Sequence, residues 1–344
     1  MLLCSINTRK LFFTVSVILL SIAVKAQELF PLNQPASVVP KNALGVRLSD
    51  IDYKEVNLYR NIIALKLMYG FTPKLTIAVT TVVSNYHQKD LPFDFVTHCH
   101  TCTVPTANET PVQQGVQYPY IFDGVDLYAQ YRFFSSDGQN QHFRMAAYGE
   151  ASYINIQSHL AEPVLEDHNT GIGAGIIATY LIKHFAASFT GGFIIPKEFD
   201  GNTYDNISIN GSYPTILIYP DALIYNLSLG YLLYPQHYSN YRETNWNIYM
   251  EFTGKTYGPA TVKQIESPFA PYNNYITFPN SNPALQGCSY IEANPGVQCI
   301  LRSDIRIDLS MAFPLVNKSY LHDYPLYIVG VQKYFYFNKK HSVD

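Results

Sequence analysis

The fold class predicted by this sequence is all-β, a transmembrane antiparallel up-and-down β-barrel of about twelve strands, and three observations predict it. From Ala43 onward, segments of about ten residues alternate apolar and polar positions, which is the period of strands and not of helices. The connections between those segments alternate short and long, as the turns and loops of bacterial outer-membrane barrels do. Aromatic residues make up 15% of the chain and charged residues only 14%, against about 25% charged in an ordinary soluble domain.

The chain begins with an export pattern. Arg9 and Lys10 precede an apolar run over 11–24, and Val24 and Ala26 stand three and one places before Gln27, the small-residue spacing of a signal-peptidase site. The run is too short to cross a bilayer as a helix, which needs roughly 20 residues. Residues 1–26 are therefore read as a cleaved signal peptide, 27–42 as a periplasmic N-terminal segment, 43–337 as the outer-membrane barrel and 338–344 as a periplasmic tail. This is the organisation expected in a Gram-negative cell.

Strands are expected at about 43–50, 60–70, 75–86, 125–134, 141–153, 170–181, 184–195, 221–233, 244–254, 288–301, 304–313 and 324–337. The alternation is plainest where Ile305, Ile307, Leu309, Met311 and Phe313 form one face and Asp304, Arg306, Asp308, Ser310 and Ala312 the other. Short connections fall at 72–74, 135–140, 182–183 and 302–303, with a medium one at 234–243. The longer ones fall at 51–59, 87–124, 154–169, 196–220, 255–287 and 314–323. That order puts the short turns and both barrel termini on the periplasmic side.

Alternation alone would also suit a soluble barrel with its apolar face inward. About eight strands enclose a space that side chains fill, and twelve enclose a wider one, so an apolar interior would be left unfilled. The apolar faces are thus expected to meet lipid and the charged faces a wet lumen. Tyr69, Tyr86, Tyr131, Tyr153, Tyr180, Tyr231, Trp246 and Tyr334 stand toward strand ends, where aromatic girdles sit.

The inferred strand directions place charges by height. Asp126, Glu150, Glu251 and Glu292 fall in the outer half of the lumen, Arg132, Arg144 and Arg306 in the periplasmic half with Asp308 beside them. Pairing across 135–140 would set Arg132 opposite Arg144 and Asp126 opposite Glu150. Two readings follow: an open pore with separated charge and a cation preference, or a lumen plugged by paired charges, with Arg47 and Lys66 neutralising the acids.

The longest outer loop carries THCHTC, with His98, Cys99, His100 and Cys102. Thiolates and imidazoles can bind zinc or copper, but four ligands so close rarely surround one ion. A disulfide is the competing reading, local between Cys99 and Cys102 or long-range to Cys288. Cys4 leaves with the signal peptide. Cys288 and Cys299 on one strand are too far apart to bridge.

No hydrolase elbow, phosphate-binding loop, zincin motif or paired-carboxylate motif appears in the mature chain, so no enzymatic activity and no cofactor is expected. The glycines of TGIGAGIIATY have no βαβ unit around them and suit crowded barrel positions instead. A net charge of -3 gives no reason to expect nucleic acid. The expected partners are the lipid bilayer of the outer membrane, the outer-membrane assembly machinery and a small-molecule solute. A closed-lumen structural or surface-binding barrel is the alternative function, and a lipid-modifying barrel enzyme a weaker one.

The stretches QELFPLNQPASVVPKNALGVRL, YRFFSSDGQNQHFRMAAYGE, SFTGGFIIP, SLGYLLYPQHYSNYRETNWNIYMEF and IRIDLSMAFPLVNKSYLHDYPLYIVGVQKYFYF resemble uncharacterised outer-membrane β-barrels named as transporters, grouped near the meta-pathway phenol-degradation family. The resemblance covers most of the mature chain outside the long loops and contains no catalytic motif. It implies a channel or transporter for small, aromatic or hydrophobic solutes. Such barrels usually end on an aromatic residue; here Phe337 is followed by NKKHSVD.

Overall fold

The computed structural model describes residues 30–55, 58–85, 119–155, 161–204, 212–237, 243–264, 275–276 and 285–337. The expected signal peptide, the expected tail at 338–344 and the loop holding His98, Cys99, His100 and Cys102 lie outside the described residues.

The strands are β1 (Ala43–Glu55), β2 (Leu58–Thr72), β3 (Leu75–Ser84), β4 (Ile121–Asp137), β5 (Gln141–Ile154), β6 (Gly171–Ile182), β7 (Phe185–Pro196), β8 (Phe199–Tyr204), β9 (Ser212–Ile218), β10 (Ala222–Tyr234), β11 (Asn245–Tyr257), β12 (Thr261–Gln264), β13 (Tyr275–Ile276), β14 (Cys288–Leu301), β15 (Ile305–Val316) and β16 (Leu326–Tyr336). Twelve of them, β1–β7, β10, β11 and β14–β16, close into one barrel. Every barrel pair is antiparallel, and β1 against β16 completes the ring through ten register pairs from Ala43↔Tyr336 to Asp52↔Tyr327. A closed ring leaves no strand edge unpaired, which is what a lipid-facing sheet requires. The remaining strands form a separate four-stranded sheet, β13-β12-β9-β8, built from the long loops after β7 and β11.

Each of the twelve expected segments is a barrel strand, and most extend further at the outer end than alternation alone predicted. The strands β8, β9, β12 and β13 were not expected. For β9 the apolar run TILI in SYPTILI was the available signal.

The wall inverts the burial pattern of a soluble protein. Along β16, Tyr327, Val329, Val331 and Phe335 are exposed while Gly330 and Gln332 are buried. Along β15, Ile307 and Leu309 are exposed while Arg306, Asp308 and Ser310 are buried. Leu309 shows 52% of its surface and Asp308 1%. Large apolar side chains standing outward around a whole ring, with carboxylates inside, mark a barrel solvated by hydrocarbon. No helix among the described residues is long and apolar enough to cross a membrane, so the strands do the crossing.

Tyr131, Tyr153, Tyr180, Tyr231 and Trp246 face outward and are exposed. Tyr334 does not belong with them: it is 5% exposed and lies inside, under the guanidinium of Arg306 at 5.1 Å from the ring centroid. Tyr86 lies outside the described residues.

The β4/β5 register also differs from expectation. Asp137 pairs with His142, and an extra residue, Phe133, is bulged out between Arg132 and Phe134. Arg132 therefore stands opposite Ala146, and Asp126 opposite Ser152. The expected like-charge pairs are offset by two residues, which removes two direct repulsions that antiparallel neighbours would feel.

Candidate functional site in the barrel lumen

Residues 30–42 run inside the barrel. They were expected in the periplasm below it, but their polar groups are bonded to inward-facing side chains of six strands. Glu251 on β11 accepts the main-chain N–H groups of Leu32 and Asn33, both at 3.0 Å. The Asn33 side chain donates to Ser228 Oγ on β10 at 2.9 Å. Ala36 N–H donates to Thr179 Oγ1 on β6, and Val39 N–H to Thr76 Oγ1 on β3, both at 2.8 Å. Gln130 on β4 donates to the carbonyl of Pro35 at 2.8 Å, and Arg144 on β5 to Ser37 Oγ at 3.1 Å.

Pro31, Pro35 and Pro40 explain why the segment has this form. Proline has no N–H and fixes its own φ, so a stretch with three of them makes a poor strand. Its remaining backbone groups must find side chains instead. Its apolar residues pack on the inner wall: Phe30 with Ala186 and Tyr249, and Ala36 and Val39 with Met68, Ala78 and Tyr128. A Cβ on Gly70 would meet the carbonyl oxygens of Pro40 and Val39 at 2.1 and 2.5 Å. Only glycine lets the segment come so close to β2 before it turns into β1.

Around the segment the wall is polar and extensively cross-linked. Arg47 on β1 forms a bidentate pair with Asp308 on β15, at 2.9 and 2.8 Å. The pair spans β16 by lying over Gly330, where a Cβ would be 2.3 Å from Asp308 Oδ2. Of the other residues expected to line the lumen, Lys66 places its ammonium 5.2 Å above the Tyr128 ring. Arg132 donates to the carbonyl of Pro73 at 2.9 Å, and Arg144 pairs with Asp137 at 3.1 Å, both at the short-turn end of the barrel. Glu150 lies against Gly173, and the neighbouring Tyr148 against Gly175 and Gly192. Gly173 and Gly175 of TGIGAGIIATY thus make room for bulky inward side chains of the preceding strand, β5.

The outer mouth is bridged by two loops. Glu162, in the loop between β5 and β6, is fully buried and accepts from Tyr290 OH at 2.5 Å, Ser319 Oγ at 2.7 Å and Tyr320 N–H at 3.1 Å. Lys255 of β11 pairs with it at 3.1 Å. Burial alone would raise this carboxyl, but Lys255, His322 and the donated hydrogen bonds hold it below the usual carboxylate range. Ser319 and Tyr320 belong to the loop between β15 and β16. Next to them His322 meets Glu292 of β14 at 2.6 Å, and Tyr324 OH also donates to Glu292. Burial pushes the His322 imidazolium down, and the carboxylates of Glu292 and Glu162 outweigh that and raise it. Sequence reasoning found Glu292 but neither Glu162 nor His322, because a lone acid or histidine in a loop carries no pattern.

Among the described residues no group of three or more His, Cys, Asp or Glu is arranged to hold a metal ion. Cys288 and Cys299 are free thiols.

No protein-family model matches this chain, and no curated protein matches it. Among solved structures, an outer membrane channel from Pseudomonas putida F1 superposes on 90% of this chain and 100% of its own with a TM-score of 0.51, at 11% identity. An active-site variant of outer membrane phospholipase A from Escherichia coli gives 0.35 at 10% identity, over 91% of this chain and 98% of its own. The P. putida toluene transporter TodX gives 0.34 at 10% identity, over 86% and 90%. The likeness to the first of these is one of fold.

Proposed function

We propose that this barrel sits in the outer membrane and passes small, predominantly apolar solutes, with residues 30–42 acting as a seated plug. The observation that carries this reading is the nature of what fills the lumen. Twelve strands enclose more space than wall side chains fill, and here the filling is a separate segment held by side-chain hydrogen bonds. Such a segment can leave without breaking any barrel pair.

A feature of the wall favours apolar cargo. The β14–β15 ladder steps from Ala293↔Phe313 to Gly296↔Ser310 with no pairs at Asn294 and Pro295, and shifts register near Ile291. Pro295 on one strand and Pro314 on the other have no N–H to give, so this seam is held by fewer hydrogen bonds than a full ladder. Parting of this seam at membrane depth would connect lumen to hydrocarbon, a route that suits an apolar solute and not a hydrated one.

Conductance in planar bilayers tests the plug. The full chain is expected to conduct weakly, and a chain lacking residues 30–40 to conduct at least several-fold more. Equal, negligible conductance in both would favour a closed structural barrel and remove the passage reading.

A further inference from the structure

The rim of the barrel at its short-turn end carries cations that the described protein does not pair. Lys41 ahead of β1, Lys74 in the β2–β3 turn, Arg302 in the β14–β15 turn and Lys333 on β16 are exposed. Among the described residues none of them has a carboxylate within ion-pair distance. The ring order β14-β15-β16-β1-β2-β3 sets them on one continuous arc, which at about 4.8 Å per strand spans roughly 25 Å. The acids at this end do not cancel that charge. Asp137 is taken by Arg144 and His142 in the β4–β5 hairpin, and Glu243 lies in the β10–β11 connection. Asp304 alone among the described acids stands within the arc, half-buried in the same turn as Arg302.

Turn chemistry makes the residue at 302 informative. Arg302 and Ser303 both have positive φ, 52° and 61°, as a type I′ turn requires, and the residues that suit it are Asn and Gly. A β-carbon crowds the following carbonyl there, so the arginine stands against the local preference of the backbone. At Asn42 and Asn317, where φ is 58° and 51°, the chain uses the ordinary residue. Three of the cations also stand beside outward rings. The Lys333 ammonium lies 5.3 Å from the Phe335 ring centroid, and Phe71, at the end of β2 before Lys74, is exposed. The Phe337 N–H donates to the carbonyl of Asn42, next to Lys41, at 2.9 Å, and Phe337 is exposed too. Exposed aromatic rings mark the headgroup level of a bilayer, and cations at that level meet lipid phosphate. A second copy of the chain fits poorly, since it would bring like charge to like charge.

We infer that the arc of Lys41, Lys74, Arg302 and Lys333 is a docking surface for anionic phospholipid, the phosphates on the cations and the acyl chains on the exposed apolar wall beside them, where Ile307 and Val331 stand outward. This docking depends on the membrane-spanning reading and not on solute passage. A barrel that takes up lipid without preference for the anionic kind keeps its place in the membrane and loses only this surface.

The refolded full chain in detergent is to be mixed with equimolar phosphatidylglycerol and phosphatidylcholine of one acyl length, and the retained lipids counted by native mass spectrometry. Phosphatidylglycerol is expected to exceed phosphatidylcholine at least fivefold, and the ratio to fall below twofold when Lys41→Gln, Lys74→Gln, Arg302→Asn and Lys333→Gln are combined. Asparagine at 302 suits the turn, and retention of the heat-modifiable folded form on gels verifies each variant. Lys54→Gln with Lys318→Gln, at the long-loop end, is expected to leave the ratio unchanged. Equal retention of the two lipids, a ratio kept in the folded combined variant, or a ratio lost in the long-loop pair would overturn the assignment. Displacement of the lipid by equimolar glycerophosphate would overturn it as well, since a free anion would then suffice.

Discussion

Replacing Glu251 by glutamine tests whether specific hydrogen bonds seat the plug. The carboxylate accepts the N–H groups of Leu32 and Asn33 at 3.0 Å each and the Ser228 hydroxyl at 3.1 Å. Glutamine keeps the shape but offers a single oxygen, and it turns an NH2 group toward a donor. One of the two main-chain N–H groups is then left without an acceptor. A hydrogen bond to a charged group contributes about 1.5–3 kcal/mol, and an unpaired buried donor costs about 1–3 kcal/mol. Relief from burying a full charge offsets part of this. A net loss of about 2–3 kcal/mol in the seated state is expected, roughly a 30- to 150-fold shift toward release at 1.4 kcal/mol per tenfold. Amide hydrogen exchange of Leu32 and Asn33, read by mass spectrometry in detergent, reports that shift as faster exchange by a similar factor. The amides of β1 and β16 are expected to exchange as before. Unchanged exchange at Leu32 and Asn33 would refute the reasoning and leave apolar packing of Phe30 and Val39 as what holds the segment.

Two further outcomes follow from the charge network. Asp308→Asn removes the carboxylate of the buried bidentate pair with Arg47 and is expected to destabilise the barrel by about 3–5 kcal/mol in urea unfolding, while the double change Arg47→Met with Asp308→Leu is expected to be close to neutral. The outer latch is expected to be pH-dependent. The folded-state pKa of His322 lies above its ordinary value, so its contribution is full below about pH 6.5 and lost as pH rises through the folded value. The Glu162 carboxyl is lowered, so its contribution is present above the ordinary carboxylate pKa and lost on strong acidification. Proteolysis in the loop between β15 and β16 should therefore be slowest in mildly acidic buffer and faster at alkaline pH, and His322→Gln should flatten the alkaline limb.

The barrel was legible because it rests on a two-residue period that every strand repeats. Ile305 through Phe313 displays it without interruption, and the structure uses that face as read. What defeated the reading were features set by single residues in three dimensions. The β4/β5 hairpin turns more tightly than expected, pairing Asp137 with His142, and with the bulge at Phe133 this sets Arg132 opposite Ala146 and not Arg144. Tyr334 stands near a strand end like the girdle tyrosines, yet its parity on β16 turns it inward to Arg306. The plug was the largest omission, although Pro31, Pro35 and Pro40 interspersed with Phe30, Leu32, Val38 and Val39 describe a segment unable to pair as a strand and too apolar to prefer water. Periodicity carries no information on where such a segment goes; only the hydrogen-bonding groups of the inner wall decide it.

Trp246 is the sole tryptophan of the chain, stands near the start of β11, and presents 49% of its surface on the outward face. Its fluorescence in reconstituted vesicles needs no substitution and reads directly which solvent touches the wall. If the outward face meets hydrocarbon, phospholipids brominated near the top of the acyl chain quench the emission strongly and aqueous iodide hardly at all. Strong iodide quenching with no response to brominated lipid would mean that water wets that face, and the membrane-spanning barrel would fall with everything built on it.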